Sequence, residues 1–497
     1  MDNNFIVTKH NEVFAKIDCE RGLAKELSEY FTFFVPGYQF VPAYRNRIWD
    51  GKIRLFNLQT SQLYRGLVPY LKDFCEERDY TFDLTDVDVE DEFSVYHAKK
   101  FCDSLNLHSQ GKPITTNEHQ IDAFVEGMQS HRMLLVSPTS SGKSLIAYLF
   151  VRQLLQYQKL KGLIIVPTTS LVEQLYSDFA DYSSHNGFNV EENIHRIYQG
   201  KDKQSDKMII ISTWQSLYQM PKEYFEQFDY IIGDEAHNFK AQSLTTIMTS
   251  CVNTKYRIGM TGTLDGTKTH KLVLEGLFGP AKQFITTKEL IDQGKVSKFQ
   301  IKCLILKHND DICLKMKDSS YQQEIQYLIS NEQRNKFIKN LAVSLGNNTL
   351  ILYQMVEKHG EILYNIIKNT EKIGDRKVFF VHGKTDTDDR EKIRQIMEKE
   401  NDAIVVASYG TFSTGINIRN LHNIIFASPS KSRIRNLQSI GRGLRSSEGK
   451  DIATLYDIAD DLRYKKHMNY TLKHFVERVK TYTDEKFPFK IYKIGLK

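Results

Sequence analysis

The sequence predicts an α/β protein: two parallel-sheet domains in tandem, preceded by a small α+β module. Three observations predict it. From about residue 107, short apolar runs recur at MLLVS (133–137), GLIIV (162–166), MIIIS (208–212), YIIGD (230–234) and RIGMT (257–261). Helix-length amphipathic segments fall between most of them, which is how strands read when helices cover both faces of a parallel sheet. After ELIDQGKVSKF the rhythm restarts at TLILY (349–353), KVFFV (377–381), AIVVA (403–407), NIIFA (423–427) and ATLYD (453–457). The first hundred residues lack this rhythm. The expected domains are therefore 1–106, 107–292 and 293–497.

In the first module, RIWDGKIRLF carries a hairpin signal, with Asp50-Gly51 as the positive-φ pair of a tight two-residue turn. Ahead of it, GYQFVPAYRNR interleaves Tyr38, Phe40 and Tyr44 with Arg45 and Arg47. Two readings stand. Arg45, Arg47, Lys52 and Arg54 can contact phosphates while Tyr44 or Trp49 stacks on a base or wedges at a junction. Alternatively, Trp49, Phe40 and Ile53 form the core of a small domain.

Composition narrows the class. Of 497 residues, 41% are apolar and 26% charged, with only 10 prolines, which excludes a collagenous or wholly disordered chain. No apolar run approaches the roughly 18 residues of a membrane span, and MDNNFIVTKHNEVF lacks a signal-peptide pattern, so a soluble, unexported, cytoplasmic protein is expected. The six cysteines are scattered without close metal-ligand spacing and read as reduced thiols, with no structural zinc. The net charge of +6 is small, but residues 462–497 hold ten Lys/Arg against three Asp/Glu, while Thr81–Phe93 is acidic. That asymmetry suits a polyanion on one face; a solvated helical surface accounts for the tail equally well.

The chemistry is concentrated at strand ends. MLLVS runs into Pro138-Thr139-Ser140-Ser141-Gly142-Lys143-Ser144 and then into a helical segment. Backbone N–H groups there form a phosphate cradle, Lys143 reaches the terminal phosphates of ATP, and Ser144 can hold Mg²⁺. Ser137 stands where the phosphate-loop pattern has its first glycine. YIIGD ends in Asp234-Glu235-Ala236-His237. Asp234 is placed for the Mg²⁺ shell and Glu235 for orienting and deprotonating an attacking water. Near the start of a later helix, Gln438-Ser439-Ile440-Gly441-Arg442-Gly443-Leu444-Arg445 sets two arginines on one helical face, able to reach a phosphate bound on the other domain. A P-loop kinase explains neither the second domain nor these arginines. An ATP-switched nucleic-acid scaffold leaves the full hydrolytic set without a use.

These pieces, in this order, resemble the superfamily 2 helicase and translocase core over about 117–445. The resemblance implies two RecA-like domains, and it places further residues. Gln120 matches the adenine-reading glutamine, although Asn117 and His119 depart from the family's usual arginine and tyrosine. Thr168 in VPTTSLVEQ, and Ser212 and Thr213 in STWQSL, match nucleic-acid-contacting motifs, as do Thr411 and Thr414 in ASYGTFSTGINI, where Gly415 falls to the nucleotide. Thr261 and Thr263 match the motif that couples hydrolysis to domain movement, and His237 a link to it; a surface-loop histidine is the alternative. Gln438 joins the two arginines in the catalytic set. With the N-terminal GYQFVPAYRNRIWDGKIRLFN, the likeness narrows to phage recombination and repair helicases. It implies an ATP-dependent DNA helicase, hosted in the cytoplasm, acting on stalled forks, Holliday junctions and the RNA–DNA hybrids of R-loops. Single-strand-binding or recombination proteins would be its partners. An RNA helicase and the duplex translocase of a restriction or remodelling system are the alternatives within the motor class.

Overall fold

The computed structural model describes residues 4–84, 91–198, 202–239, 241–415, 418, 420–428, 432, 437, 439–441 and 452–496. The chain divides into two compact units, Met1–Ser137 with Ser141–Phe284, and Ile285–Lys497 with Pro138–Ser140.

The first unit opens with a five-stranded sheet in the order Phe56–Asn57, Gln62–Tyr64, Phe14–Cys19, Phe5–Lys9, Phe82–Asp83. Only the last pair is parallel. Period-2 alternation sets its buried face: Phe5, Val7, Ala15 and Ile17 point inward, whereas Ile6 and Lys16 point out. Helices Arg21–Tyr30 and Val68–Glu76 cover that face with Leu27, Leu71 and Phe74.

The expected hairpin about Asp50-Gly51 does not form. Lys52–Arg54 pairs instead with Thr32–Phe34, and Pro42–Arg45 is a short helix. Gly51 takes a φ of 79°, but Asp50 is not in the left-handed region. Its carboxylate accepts the Lys52 amide at 3.1 Å and pairs with Arg54. This Asx turn reverses the chain without the second positive φ that a two-residue hairpin demands.

The seven-stranded sheet that follows is wholly parallel, in the order Ile194–Ile197, Ile209–Thr213, Gly162–Val166, Tyr230–Asp234, Tyr256–Thr261, Arg132–Val136, Ala281–Lys282. Ile164, Ile211, Ile232 and Ile258 enter the core on one face, and Leu134, Leu163, Ile165 and Ile231 on the other. Burial on both faces is why these strands read as unbroken apolar runs.

The second unit repeats the plan, with the parallel order Lys377–Val381, Ala403–Ser408, Thr349–Tyr353, Asn423–Phe426, Ile452–Asp461, Lys298–Lys307, Phe489–Gly495. The basic tail packs as the helix Tyr470–Asp484 and a final strand. Glu324, itself buried, caps that helix by accepting the amides of Tyr470 and Thr471 at 2.9 and 2.8 Å. Arg478 is buried in a bidentate pair with Asp457, which also accepts from Tyr482 at 2.9 Å. Arg478 therefore serves the fold, while Arg463, Lys465, Lys466, Lys473 and Lys480 stay exposed. No described helix is long and apolar enough to cross a membrane.

Candidate nucleotide and nucleic-acid sites

Strand register gathers the motifs of the first unit on one sheet edge. Val136 is opposite Thr261, Asp234 opposite Met260, and Val166 opposite Thr213, so all these strands end together. Ligands bind at this carboxyl edge in parallel sheets.

The loop after Val136 closes on itself. Ser137 is buried, and its hydroxyl donates to Ser141 Oγ at 2.7 Å, so a side chain spans the loop at the position without glycine. Ser140 and Gly142 have φ of 69° and 86°. The positive φ of Gly142 favours glycine, and a Cβ there would lie 2.1 Å from Gln120 Nε2, so a substitution would displace that amide from the loop. Lys143 Nζ donates to the Ser137 carbonyl at 2.9 Å, which folds the ammonium back over the loop. Lys143 and Ser144 open the helix Lys143–Gln158, whose N-terminus favours an anion.

Gln120 and His119 support this loop from helix Glu118–Ser130. Gln120 Nε2 donates to the Ser141 carbonyl at 3.0 Å, and its Oε1 accepts the Asn117 amide in a capping box. His119 Nε2 lies 2.9 Å from the same carbonyl. Sequence reading saw His119 only as a departure from a pattern; its position beside Gln120 in a capped first turn was the available signal.

Asp234 ends its strand with the Glu235 amide bonded to Oδ1 at 2.9 Å. Burial, then the neighbouring charge of Glu235, holds its carboxyl above the ordinary carboxylate range, with Lys143 acting against them. Glu235 has a φ of 49°, in the left-handed region that a non-glycine residue adopts at a cost. Its carboxylate lies 3.3 Å from His237 Nδ1, and that nitrogen is 3.1 Å from Thr261 Oγ1. Thr261 in turn donates to the Thr263 carbonyl at 2.9 Å. The chain continues to His270, whose Nε2 is 3.0 Å from the His237 carbonyl and whose Nδ1 is 2.8 Å from Asp265. Burial opposes ionisation of Asp265, but hydrogen bonds from His270 and Thr267 hold it well below the usual carboxylate range. Asp265 and His270 escaped the sequence reading because nothing in their spacing marks them.

Two hard oxygen donors, Ser144 Oγ and the Asp234 carboxylate, beside a glycine-shaped loop and a lysine fit Mg²⁺ bound with nucleotide phosphates. Pro138, Thr139, Ser140, Ser141 and Gly142 form the loop's turn.

The nucleic-acid candidates differ in exposure. Thr168 is half-buried and caps helix Thr169–Tyr182, its Oγ1 accepting the Leu171 amide. Ser212 is wholly buried and donates to the Ile197 and Thr213 carbonyls, so its hydroxyl does not face solvent. Thr213 bonds Ser216, and Thr411 bonds Ser408 at the head of a helix. Thr414 and Gly415 are described only as backbone of helix Tyr409–Gly415, and Gln438, Arg442 and Arg445 lie outside the described residues.

In the N-terminal module, Arg45, Arg47, Tyr44, Ile48, Trp49 and Arg54 line a groove of about 790 Å³. Phe40 is 74% and Ile48 79% exposed, so neither is core. Ile53 does pack on the core; Trp49 is half-buried and donates its indole N–H to the Lys52 carbonyl at 2.9 Å. Lys52 lies over the exposed Phe34 ring at 5.0 Å.

The chain matches three family models: DNA helicase UvsW, N-terminal, over residues 5–85; type III restriction enzyme, res subunit, over 108–266; and helicase conserved C-terminal domain over 332–447. The ATP-dependent DNA helicase uvsW of Enterobacteria phage T4 is 34% identical over 98% of this chain and 99% of its own length. The crystal structure of T4 UvsW aligns with a TM-score of 0.53 over 99% of this chain and 100% of that one. The DNA 3'-5' translocase XPB2 of Sulfurisphaera tokodaii is 24% identical over 70% of this chain and 82% of its own. Likeness that runs through the N-terminal module as well as both α/β domains shows that this chain belongs to the UvsW family of superfamily 2 and is an ATP-dependent DNA helicase.

Proposed function

We propose that this helicase remodels branched DNA, engaging stalled forks, four-way junctions and RNA–DNA hybrids through its N-terminal module. The observation that carries the proposal is the groove lined by Arg45, Arg47 and the exposed Ile48, with the exposed Phe40 in the turn Tyr38–Phe40 that precedes these residues in the chain. Exposed aromatic and aliphatic side chains among arginines suit a site where bases are unstacked and phosphates converge. The module does not hang on a tether. Leu272 of helix Lys268–Phe278 enters the module's core, and Tyr70 Oη donates to Glu275 at 2.6 Å. A groove fixed to the first motor domain can hold a junction while that domain advances.

At the nucleotide, the loop 138–142 cradles the phosphates, Lys143 compensates their charge, Glu235 orients and deprotonates the attacking water, and Arg442 and Arg445 steady the terminal phosphate. Ser144 and Asp234 would hold Mg²⁺, which would supply neutralisation of phosphate charge when bound. His237 and Thr261 would carry the change at Glu235 toward Thr263 and His270.

The test is the full-length Arg45→Ala/Arg47→Ala variant. Fork and four-way-junction unwinding should fall about tenfold or more, while ATPase stimulated by linear single-stranded DNA stays near wild type. Equal loss on both would sink the recognition role.

A further inference from the structure

One contact joins the nucleotide loop to a residue that no motif includes. Ser144 Oγ lies 2.9 Å from the phenolic oxygen of Tyr182, the last residue of helix Thr169–Tyr182. A serine hydroxyl has one hydrogen and two lone pairs. When a lone pair goes to a metal, the hydrogen needs an acceptor on the other side, and the Tyr182 oxygen stands within range to accept it. Without such a partner the hydroxyl rotates freely and must be ordered at each binding event.

Tyr182 is itself held in place. Its ring packs against Tyr148, with centroids 5.5 Å apart at 59°. Tyr148 Oη is fixed by Ser183 at 2.8 Å and by Arg152 at 2.6 Å, and Arg152 also reaches Asn186 at 3.2 Å. The same helix is capped by Thr168, so one element carries a proposed nucleic-acid contact and the partner of a proposed metal ligand.

We infer that Tyr182 is a positioning residue for the Mg²⁺–nucleotide site, holding the Ser144 hydroxyl so that a lone pair faces the metal. The inference rests on the reading of Ser144 as a Mg²⁺ ligand. Its test is binding of N-methylanthraniloyl-ADP to the full chain, in excess Mg²⁺ and in EDTA. Wild type should bind more tightly with Mg²⁺, and Ser144→Ala should lose that gain. Tyr182→Phe should keep the EDTA affinity, which also reports an intact fold, and lose about fivefold of the Mg²⁺ gain, the worth of one ordinary hydrogen bond. Adding Tyr182→Phe to Ser144→Ala should then cost nothing further. If Ser144→Ala loses the gain but Tyr182→Phe keeps it, or weakens binding equally in both conditions, the role of Tyr182 is overturned while the metal reading stands. If Ser144→Ala keeps the gain, both fall.

Discussion

His359 is wholly buried, with Nδ1 3.0 Å from Ser428 Oγ and Nε2 3.2 Å from Asn335 Oδ1. Burial, and then the nearby Arg334 guanidinium, lower its pKa to about 3. The folded state thus keeps the ring neutral where the unfolded chain would protonate it. Below the ordinary histidine value near 6.5 the unfolded state binds the extra proton, so stability is lost as pH falls. Between pH 7 and pH 5 the second α/β domain should lose about 2 kcal/mol from this residue. Urea melts across that range should show the slope, and His359→Gln should flatten it. Such residues were invisible in the sequence because their importance comes from burial alone. Lys143, Ser144, Asp234 and Glu235 could be proposed from sequence for the opposite reason: phosphate and metal chemistry demands fixed offsets from a strand end, and the structure places them at strand ends. His119 falls between the two, since its bond is to a backbone carbonyl that no side-chain pattern announces.

At the scale of elements, helix Lys268–Phe278 joins the Thr261–Thr263 segment to the N-terminal module. It begins just after Thr261–Thr263, receives the His270 bond to His237, and passes Leu272 and Glu275 to the module. Lys268 adds contacts over the Tyr30 and Phe33 rings at 5.9 and 5.5 Å. The approach is closest at Gly66, where a Cβ would lie 1.8 Å from the Glu275 carbonyl oxygen. Gly66→Ala should therefore displace the module, costing about 2 kcal/mol or more, as overpacking against backbone does. Amide exchange in residues 5–84 should rise, and fork unwinding should fall while nucleotide binding persists. Unchanged exchange would show that the helix tolerates the shift. Strands covered on both faces were readable from apolar runs, whereas Ile194–Ile197 and Ala281–Lys282, at the sheet edges, carry no such run. Lys298–Lys307 was missed because lysines and a glutamine interrupt it near its sheet's edge. The hairpin about Asp50 was misread because strand Lys52–Arg54 has a partner far upstream, which local turn chemistry cannot reveal.

For the whole molecule, a net charge of +6 on 497 residues is too weak to hold DNA by general attraction. Affinity must come from local clusters, and the groove lined by Arg45 and Arg47 is the one proposed above. Each phosphate neutralised by a cationic side chain releases condensed counterions, so the logarithm of the binding constant falls with log salt by about 0.9 per duplex contact. If both arginines contact phosphates at a fork, Arg45→Ala/Arg47→Ala should reduce that slope by nearly two while leaving the slope for linear single-stranded DNA unchanged. Arg54 should contribute less, because Asp50 already pairs with it. Fluorescence anisotropy of nucleotide-free protein on both DNAs across a salt series measures this directly. A fork slope that does not move would mean that the arginines shape the groove without touching the backbone, and branch selection would then rest on the exposed Phe40 and Ile48 alone.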